Sequence, residues 1–186
     1  AFRVLPEARK NEVVARIKGG LNDVPITRAI KDDDDSGWGI TMPGDDGHRV
    51  YVWIDALFNY LSTIDTDDRR AYWPATTHLI AKDILWFHAI IWPCLLMALD
   101  EDLPGGVYAH SFWIREGRKM SKSLGNFIDL PTMRGYADRY GIDPIRYYLM
   151  THGPLGVTDS DFSYSHFVEV YNADLANGLG NAVSRV

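Results

Sequence analysis

Thr77-His78-Leu79-Ile80-Ala81-Lys82-Asp83-Ile84, continuing through Leu85-Trp86-Phe87-His88-Ala89-Ile90-Ile91-Trp92-Pro93-Cys94-Leu95-Leu96-Met97, carries the change of period that decides the fold. Thr77 to Ala81 reads as a strand, and Asp83 as the N-cap of a long apolar helix from Ile84 to about Leu99. Pro93 should kink that helix, because it has no N–H for the turn before it. Outward in both directions the pattern repeats. Val50-Tyr51-Val52-Trp53-Ile54 is a short β-branched and aromatic run and reads as a buried strand, with Asp55 capping a helix that carries Leu57, Phe58, Tyr60 and Leu61. Val107 to Ile114 reads as a further strand. Strands alternating with helices indicate an α/β fold with a parallel sheet.

Toward the amino end, Val13, Val14 and Ile17 recur at helical spacing within Glu7 to Lys18, and Gly19-Gly20 close that helix. Asp32 to Asp35 is a run of like charges that reads as a solvated loop with no metal site, and Met42 to His48 as a turn-rich connector. Toward the carboxyl end, Asp129-Leu130-Pro131 opens a helix that Gly141 stops. Asp143-Pro144 caps and opens another, which ends near Gly153. From Ser165, the residues Val168, Tyr171, Leu175, Leu179 and Val186 mark an amphipathic helix whose Gly178 and Gly180 predict close helix packing.

The 186 residues are 46% hydrophobic and 24% charged, ordinary values for a globular domain with a proper core. One cysteine, Cys94, forbids an internal disulfide and any Cys-cluster zinc site, fits a reducing compartment, and sits in an apolar run that predicts core packing. No signal peptide and no membrane-spanning apolar run is present. A net charge of −6 argues against a nonspecific nucleic-acid coat, though not against RNA contact through a local basic patch. The chain begins Ala-Phe-Arg without an initiator Met, which predicts a piece of a longer protein.

Two features carry chemistry. In Gly117-Arg118-Lys119-Met120-Ser121-Lys122-Ser123-Leu124-Gly125-Asn126, three cations and two hydroxyls lie between glycines. On composition this is a solvated basic turn; chemically it can bring ammonium groups against a polyanion whose charge shifts during a reaction. The second feature is aromatic: Trp53, Tyr60, Phe87, His88 and Trp92 fall near the predicted strand ends, with Ile84 and His88 on one helix face. Plain core is the simpler reading, and a pocket for a thioether is the sharper one. Asp83 at a strand's carboxyl end is a candidate for ribose hydroxyls as well as for simple capping.

The string Lys119-Met120-Ser121-Lys122-Ser123 followed by Leu124-Gly125-Asn126 resembles the KMSKS loop of class I aminoacyl-tRNA synthetases. Tyr51-Val52-Trp53-Ile54-Asp55-Ala56-Leu57 with Asn59-Tyr60 resembles the methionine-pocket segment of methionyl-tRNA synthetases. Ala81-Lys82-Asp83-Ile84 with Phe87-His88 resembles their Gly-Lys-Asp-Ile segment. Pro6 to Val13 is similar to the stretch after their inserted connective peptide, and Tyr171 to Asn177 with Leu179-Gly180-Asn181 to the start of their anticodon-binding helices.

The resemblance implies the C-terminal half of a Rossmann-type nucleotide-binding domain (1–118), then the KMSKS loop and stem-contact helices (119–164), then a first anticodon-domain helix (165–186). It implies ligation of methionine to tRNA through methionyl-adenylate, with ATP and Mg²⁺, no metal site in this chain, no membrane partner, and a cytoplasmic or mitochondrial location. Trp53, Leu57, Tyr60, Ile84 and His88 would enclose methionine. Asp83 would hold the ribose, Trp113 and Ile114 would border adenine, and Met120, Ser121 and Ser123 would join Lys119 and Lys122 around the phosphates. Lys119 and Lys122 would be the catalytic pair. Ala81 stands where the family has Gly, no His-x-Gly-His occurs, and inactivity of the piece alone is expected. A non-catalytic RNA-binding module derived from such an enzyme, and another class I synthetase or nucleotidyl transferase, are the competing functions.

Overall fold

A computed structural model describes residues 2–31, 37–115, 117–121 and 123–186. The acidic run Asp32 to Asp35 and Lys122 lie outside the described residues. The chain forms two compact units, Ala1–Ala109 and His110–Val186.

The first unit opens with β1 (Arg3–Leu5) and α1 (Glu7–Lys18), which spans the predicted helix and gives way to Gly19. Of its apolar face only Val13 is buried; Val14 and Ile17 are exposed. Next come β2 (Thr27–Ala29), β3 (Thr41–Met42) and β4 (Asp45–Val50), an antiparallel sheet in the order β2-β4-β3. The expected connector at Met42 to His48 is therefore a hairpin. Gly44, at φ 81°, makes the turn, and a polar, largely exposed strand shows no hydrophobic alternation to announce itself.

The strand expected over Val50 to Ile54 ends at Val50, and α2 (Val52–Ser62) begins two residues on. Local β-branched propensity lost to the helical spacing of Trp53, Leu57 and Tyr60, which lines one face of α2. Asp55 consequently sits in the first turn, and Tyr51 is the capping residue, with no side-chain cap bond.

After β5 (His78–Ala81) the long helix is broken into pieces: a 3₁₀ turn at Lys82–Ile84, a π turn at Phe87–Ile91, and α3 (Trp92–Ala98). Asp83 makes no cap hydrogen bond, since Ala81 holds the capping position. Pro93 lies in the first turn of α3, directly after the π turn, so the ladder widens before the residue that has no N–H to give. Cys94 is exposed, contrary to the core role its neighbours implied.

The expected strand over Val107 to Ile114 is two strands in different sheets, β6 (Gly106–His110) and β7 (Trp113–Arg115). The chain leaves the first sheet at Ser111, whose N–H donates to Pro154 O at 2.8 Å and whose hydroxyl donates to Gly156 O at 3.1 Å. The first sheet has the order β1-β6-β5, with β1 parallel to β6. A side chain on Gly106 would put its Cβ 2.3 Å from the Arg3 carbonyl oxygen, so this junction requires glycine. Val4, Val13, Ile80, Leu85, Val107 and Ala109 form its core.

In the second unit β7 is the central strand, flanked by β8 (Arg118–Lys119) and later by β9 (Ser160–Asp161). Helix α4 (Leu130–Tyr140) starts as predicted: Asp129 accepts from Thr132 N–H at 2.9 Å, and Gly141 at φ 85° ends it. Helix α5 (Ile142–His152) starts one residue before the expected Asp143 cap, with Gly141 capping both helices. The last helical stretch is α6 (Tyr164–Val170), a π segment at Tyr171–Gly180, and α7 (Asn181–Ser184). The wider turn misphases a 3.6-residue stripe, so Leu179 and Val186 are exposed. Gly178 and Gly180 face their own helix's carbonyls, Ala173 O at 3.3 Å and Leu175 O at 3.1 Å from a built Cβ, and no other helix. Ile145, Tyr148, Phe162, Phe167 and Val170 form the core.

Candidate functional site

Helix α2 and the π turn after β5 bring the aromatic residues of the first unit together. The Tyr60 hydroxyl lies 3.0 Å from His88 Nε2, and His88 Nδ1 lies 3.1 Å from the Ile84 carbonyl oxygen. A carbonyl can only accept, so Nδ1 carries the proton, Nε2 accepts, and Tyr60 O–H donates. Trp53 meets His88 edge-on with ring centroids 6.2 Å apart and stacks on Phe87 at 4.0 Å. Trp53, Tyr60 and His88 thus form one contact group. Leu57 and Ile84 adjoin it, through Tyr60, which packs against the Leu57 cluster, and through the Ile84 carbonyl on His88. Leu57 is wholly buried with Ile91, Trp92 and Leu96 behind the group, and Ile84 packs against the core of the β1-β6-β5 sheet. Asp83 is exposed on the 3₁₀ turn at the carboxyl end of β5.

One residue of this group escaped the sequence reading. His78, 6% exposed at the start of β5, lies 4.4 Å from the Tyr60 ring and 5.8 Å from the His88 ring, centroid to centroid. Its Nε2 and the Trp92 indole nitrogen are buried with no hydrogen-bond partner. A lone histidine in a strand gives no signal of its own; only the fold places it against Tyr60. Burial, then the nearby His88, pushes the His78 pKa down to about 4. Burial also lowers that of His88 against the opposing pull of its bond to Ile84, and burial raises that of Tyr60.

These shifts set a pH dependence. Unfolded, His78 titrates near 6.5; folded, near 4. Between those values the unfolded chain binds more protons, so stability is full above the window and is lost as pH falls through it. The thermal midpoint of the chain should hold steady above about pH 7 and fall below about pH 6, and His78→Phe should flatten that fall. Identical pH profiles for the two proteins would remove the assignment.

In the second unit Ile114 pairs with Lys119, and Arg115 with Arg118, across the β7–β8 hairpin. The Ile114 carbonyl already accepts from Phe162 N–H at 2.8 Å, so its backbone oxygen is engaged within the sheet. The Trp113 ring is half-buried and stacks near Tyr148 at 6.1 Å. Lys119 is exposed, with Nζ 5.3 Å from the Phe112 ring centroid. Met120 is half-buried and lines an apolar cavity of about 320 Å³ with Phe127, Met133 and Leu149, which anchors the start of the loop. The Ser121 and Ser123 hydroxyls lie 3.1 Å apart, and Ser121 Oγ accepts from Leu124 N–H at 3.2 Å. Asn126 Oδ1 accepts from Ser121 N–H at 2.9 Å. Among the described residues no cluster of three or more His, Cys, Asp or Glu could hold a metal, and no helix is long and apolar enough to cross a membrane.

A strand-and-helix unit with an aromatic cluster and a unit bearing a lysine hairpin define the class to which the chain is compared. The family model described as "tRNA synthetases class I (M)" matches residues 3–186, and the chain belongs to that family. The particular relatives are methionine ligases. Methionine--tRNA ligase of Brucella suis biovar 1 is 46% identical over 98% of this chain and 34% of its own length. That of Bacillus subtilis is 46% identical over 98% of this chain and 27% of its own. The structure of Mycobacterium tuberculosis methionyl-tRNA synthetase in complex with methionyl-adenylate superposes with a TM-score of 0.80 at 42% identity, covering 98% of this chain and 35% of that one. The chain therefore spans about a third of the length of such relatives. Its α/β architecture, with the parallel β1–β6 pair, is of the Rossmann-like kind of that family.

Proposed function

We propose that the full-length protein carrying this chain joins methionine to its tRNA at the expense of ATP, through methionyl-adenylate. The observation that carries this reading is the contact group of Trp53, Tyr60 and His88, in a chain similar throughout to a protein whose structure holds methionyl-adenylate. Three rings, with the Tyr60 hydroxyl and His88 satisfying one another at 3.0 Å, make an apolar wall suited to a thioether. Trp53, Tyr60 and His88 are its direct contacts; Leu57 backs them, and Ile84 fixes the His88 tautomer through its carbonyl. Asp83, exposed at a strand's carboxyl end, would accept from ribose hydroxyls. Trp113 and Ile114 would border adenine. Met120, Ser121 and Ser123 would shape the phosphate loop.

The methionine carboxylate attacks the α-phosphorus, the bond to the bridging oxygen breaks, and pyrophosphate leaves with the negative charge. Lys119 and Lys122 would stabilise that charge as it develops. The adenylate then gives its methionyl group to the terminal adenosine of tRNA. Mg²⁺ would arrive on ATP, neutralising its phosphates. The segments 1–118, 119–164 and 165–186 serve as catalytic half-domain, loop with stem contacts, and first anticodon-domain helix. The expected location is cytoplasmic or mitochondrial.

The test is amino-acid-dependent ATP–pyrophosphate exchange by the full-length protein, run with methionine, leucine, isoleucine and valine. Exchange with methionine alone is expected, and exchange driven by another of these, or by none, would overturn the reading. Within it, Tyr60→Phe leaves His88 Nε2 buried without a donor. That should raise the methionine KM roughly tenfold, the scale of one lost hydrogen bond, while the ATP KM stays put.

A further inference from the structure

The Asn126 side chain ties the end of the lysine loop back to its start at Lys119 and Ser121. Asn126 is half-buried; its Oδ1 accepts from Ser121 N–H at 2.9 Å while its Nδ2–H donates to the Lys119 carbonyl at 3.2 Å. Ser121 N–H can only donate and the Lys119 carbonyl can only accept, so one orientation of the amide satisfies both. A short, neutral side chain with one donor and one acceptor in fixed geometry is needed, and only asparagine supplies it at this reach. Gly125, at φ 62°, turns the chain back so that Asn126 faces the start of its own loop. Ser121 Oγ adds an inner brace by accepting from Leu124 N–H. Both of Asn126's bonds end on the backbone of the lysine hairpin, one of them on Lys119 itself.

We propose that Asn126 is a positioning residue for the phosphate loop: by clasping the Lys119 carbonyl and the Ser121 N–H it fixes the backbone from which Lys119 reaches the leaving pyrophosphate. This inference rests on the ligase reading above. Asn126 touches no reacting atom and acts through Lys119. Its loss should therefore appear in the chemical step and leave substrate binding alone. Misplacing a charge by about an ångström costs up to roughly a hundredfold in rate.

The experiment measures methionine-dependent exchange by the full-length protein for wild type, Asn126→Ala, Asn126→Asp, Lys119→Ala and the double variant Lys119→Ala/Asn126→Ala, with thermal midpoints recorded for each. Asn126→Ala should lower kcat roughly ten- to a hundredfold, with the KM for methionine and for ATP within about twofold of wild type. Asn126→Asp keeps the acceptor, loses the donor and sets a carboxylate against the Lys119 carbonyl, so it should be slowed as well. The double variant should be no slower than Lys119→Ala, because the clasp has nothing left to position. A turn that merely stabilises the surface predicts independent, additive losses that track the thermal midpoint. Wild-type kcat in both Asn126 variants, or additive losses in the double variant, overturns this inference alone. A wild-type protein without methionine-dependent exchange overturns the ligase reading and this inference together.

Discussion

Lys119→Ala in the full-length protein should slow methionine-dependent ATP–pyrophosphate exchange about a hundred- to a thousandfold, the equivalent of about 2.7–4 kcal/mol of lost transition-state stabilisation. The side chain is exposed on β8, and among the described residues its Nζ lies 5.3 Å from the Phe112 ring, too weak a contact to restrain it. Its removal therefore leaves the fold intact, and the loss falls on the step in which charge moves to pyrophosphate. The methionine KM should change little, since the aromatic group proposed to contact methionine belongs to the other unit. Lys122→Ala should behave the same way. A variant that keeps its rate and loses only methionine affinity would refute the role.

The second large effect is on stability. Trp92 is wholly buried and packs edge-on against Phe58 at 5.8 Å, with Tyr60 and Trp73 each at 6.0 Å. Trp92→Ala should destabilise the first unit by about 3–5 kcal/mol, combining lost burial with the cavity left among three rings. Chemical denaturation followed by circular dichroism measures this. The buried indole N–H without a partner works in the opposite direction, so Trp92→Phe should cost far less than Trp92→Ala. Equal costs for the two variants would mean that ring packing is not what holds this region.

Some local signals that depended on a single residue's chemistry were legible in the sequence, although Asp55, Asp83 and Asp143 do not hold the capping positions expected of them. Gly19 and Gly141 ended their helices where expected, and Asp129 capped α4 with its own carboxylate. Signals that depended on partners elsewhere in the chain were not. β1 is three residues long and exists because Gly106 lets it approach β6. The run from Val107 to Ile114 looks continuous, yet Pro154 and Gly156 pull Ser111 out of the sheet. In the site, Trp53, Tyr60 and His88 met as their spacing and the family likeness implied, although Trp53 is on a helix and not on the expected strand. His78 was invisible because its partners come from α2 and the π turn.

The attachment of β8 has a kinetic meaning. Among the described residues two residue pairs, Ile114 with Lys119 and Arg115 with Arg118, join it to β7, and the Gly117 N–H of its turn donates to Asp161 at 3.2 Å, whereas β7 is held on its far side by β9 and by the Phe162 amide. An element so lightly tethered detaches long before the unit around it melts. The lysine strand should therefore open and re-form by itself while Met120 stays packed with Phe127, Met133 and Leu149. Its amides should exchange with solvent at a rate set by that local opening and indifferent to mild denaturant, while those of β7 follow the global transition.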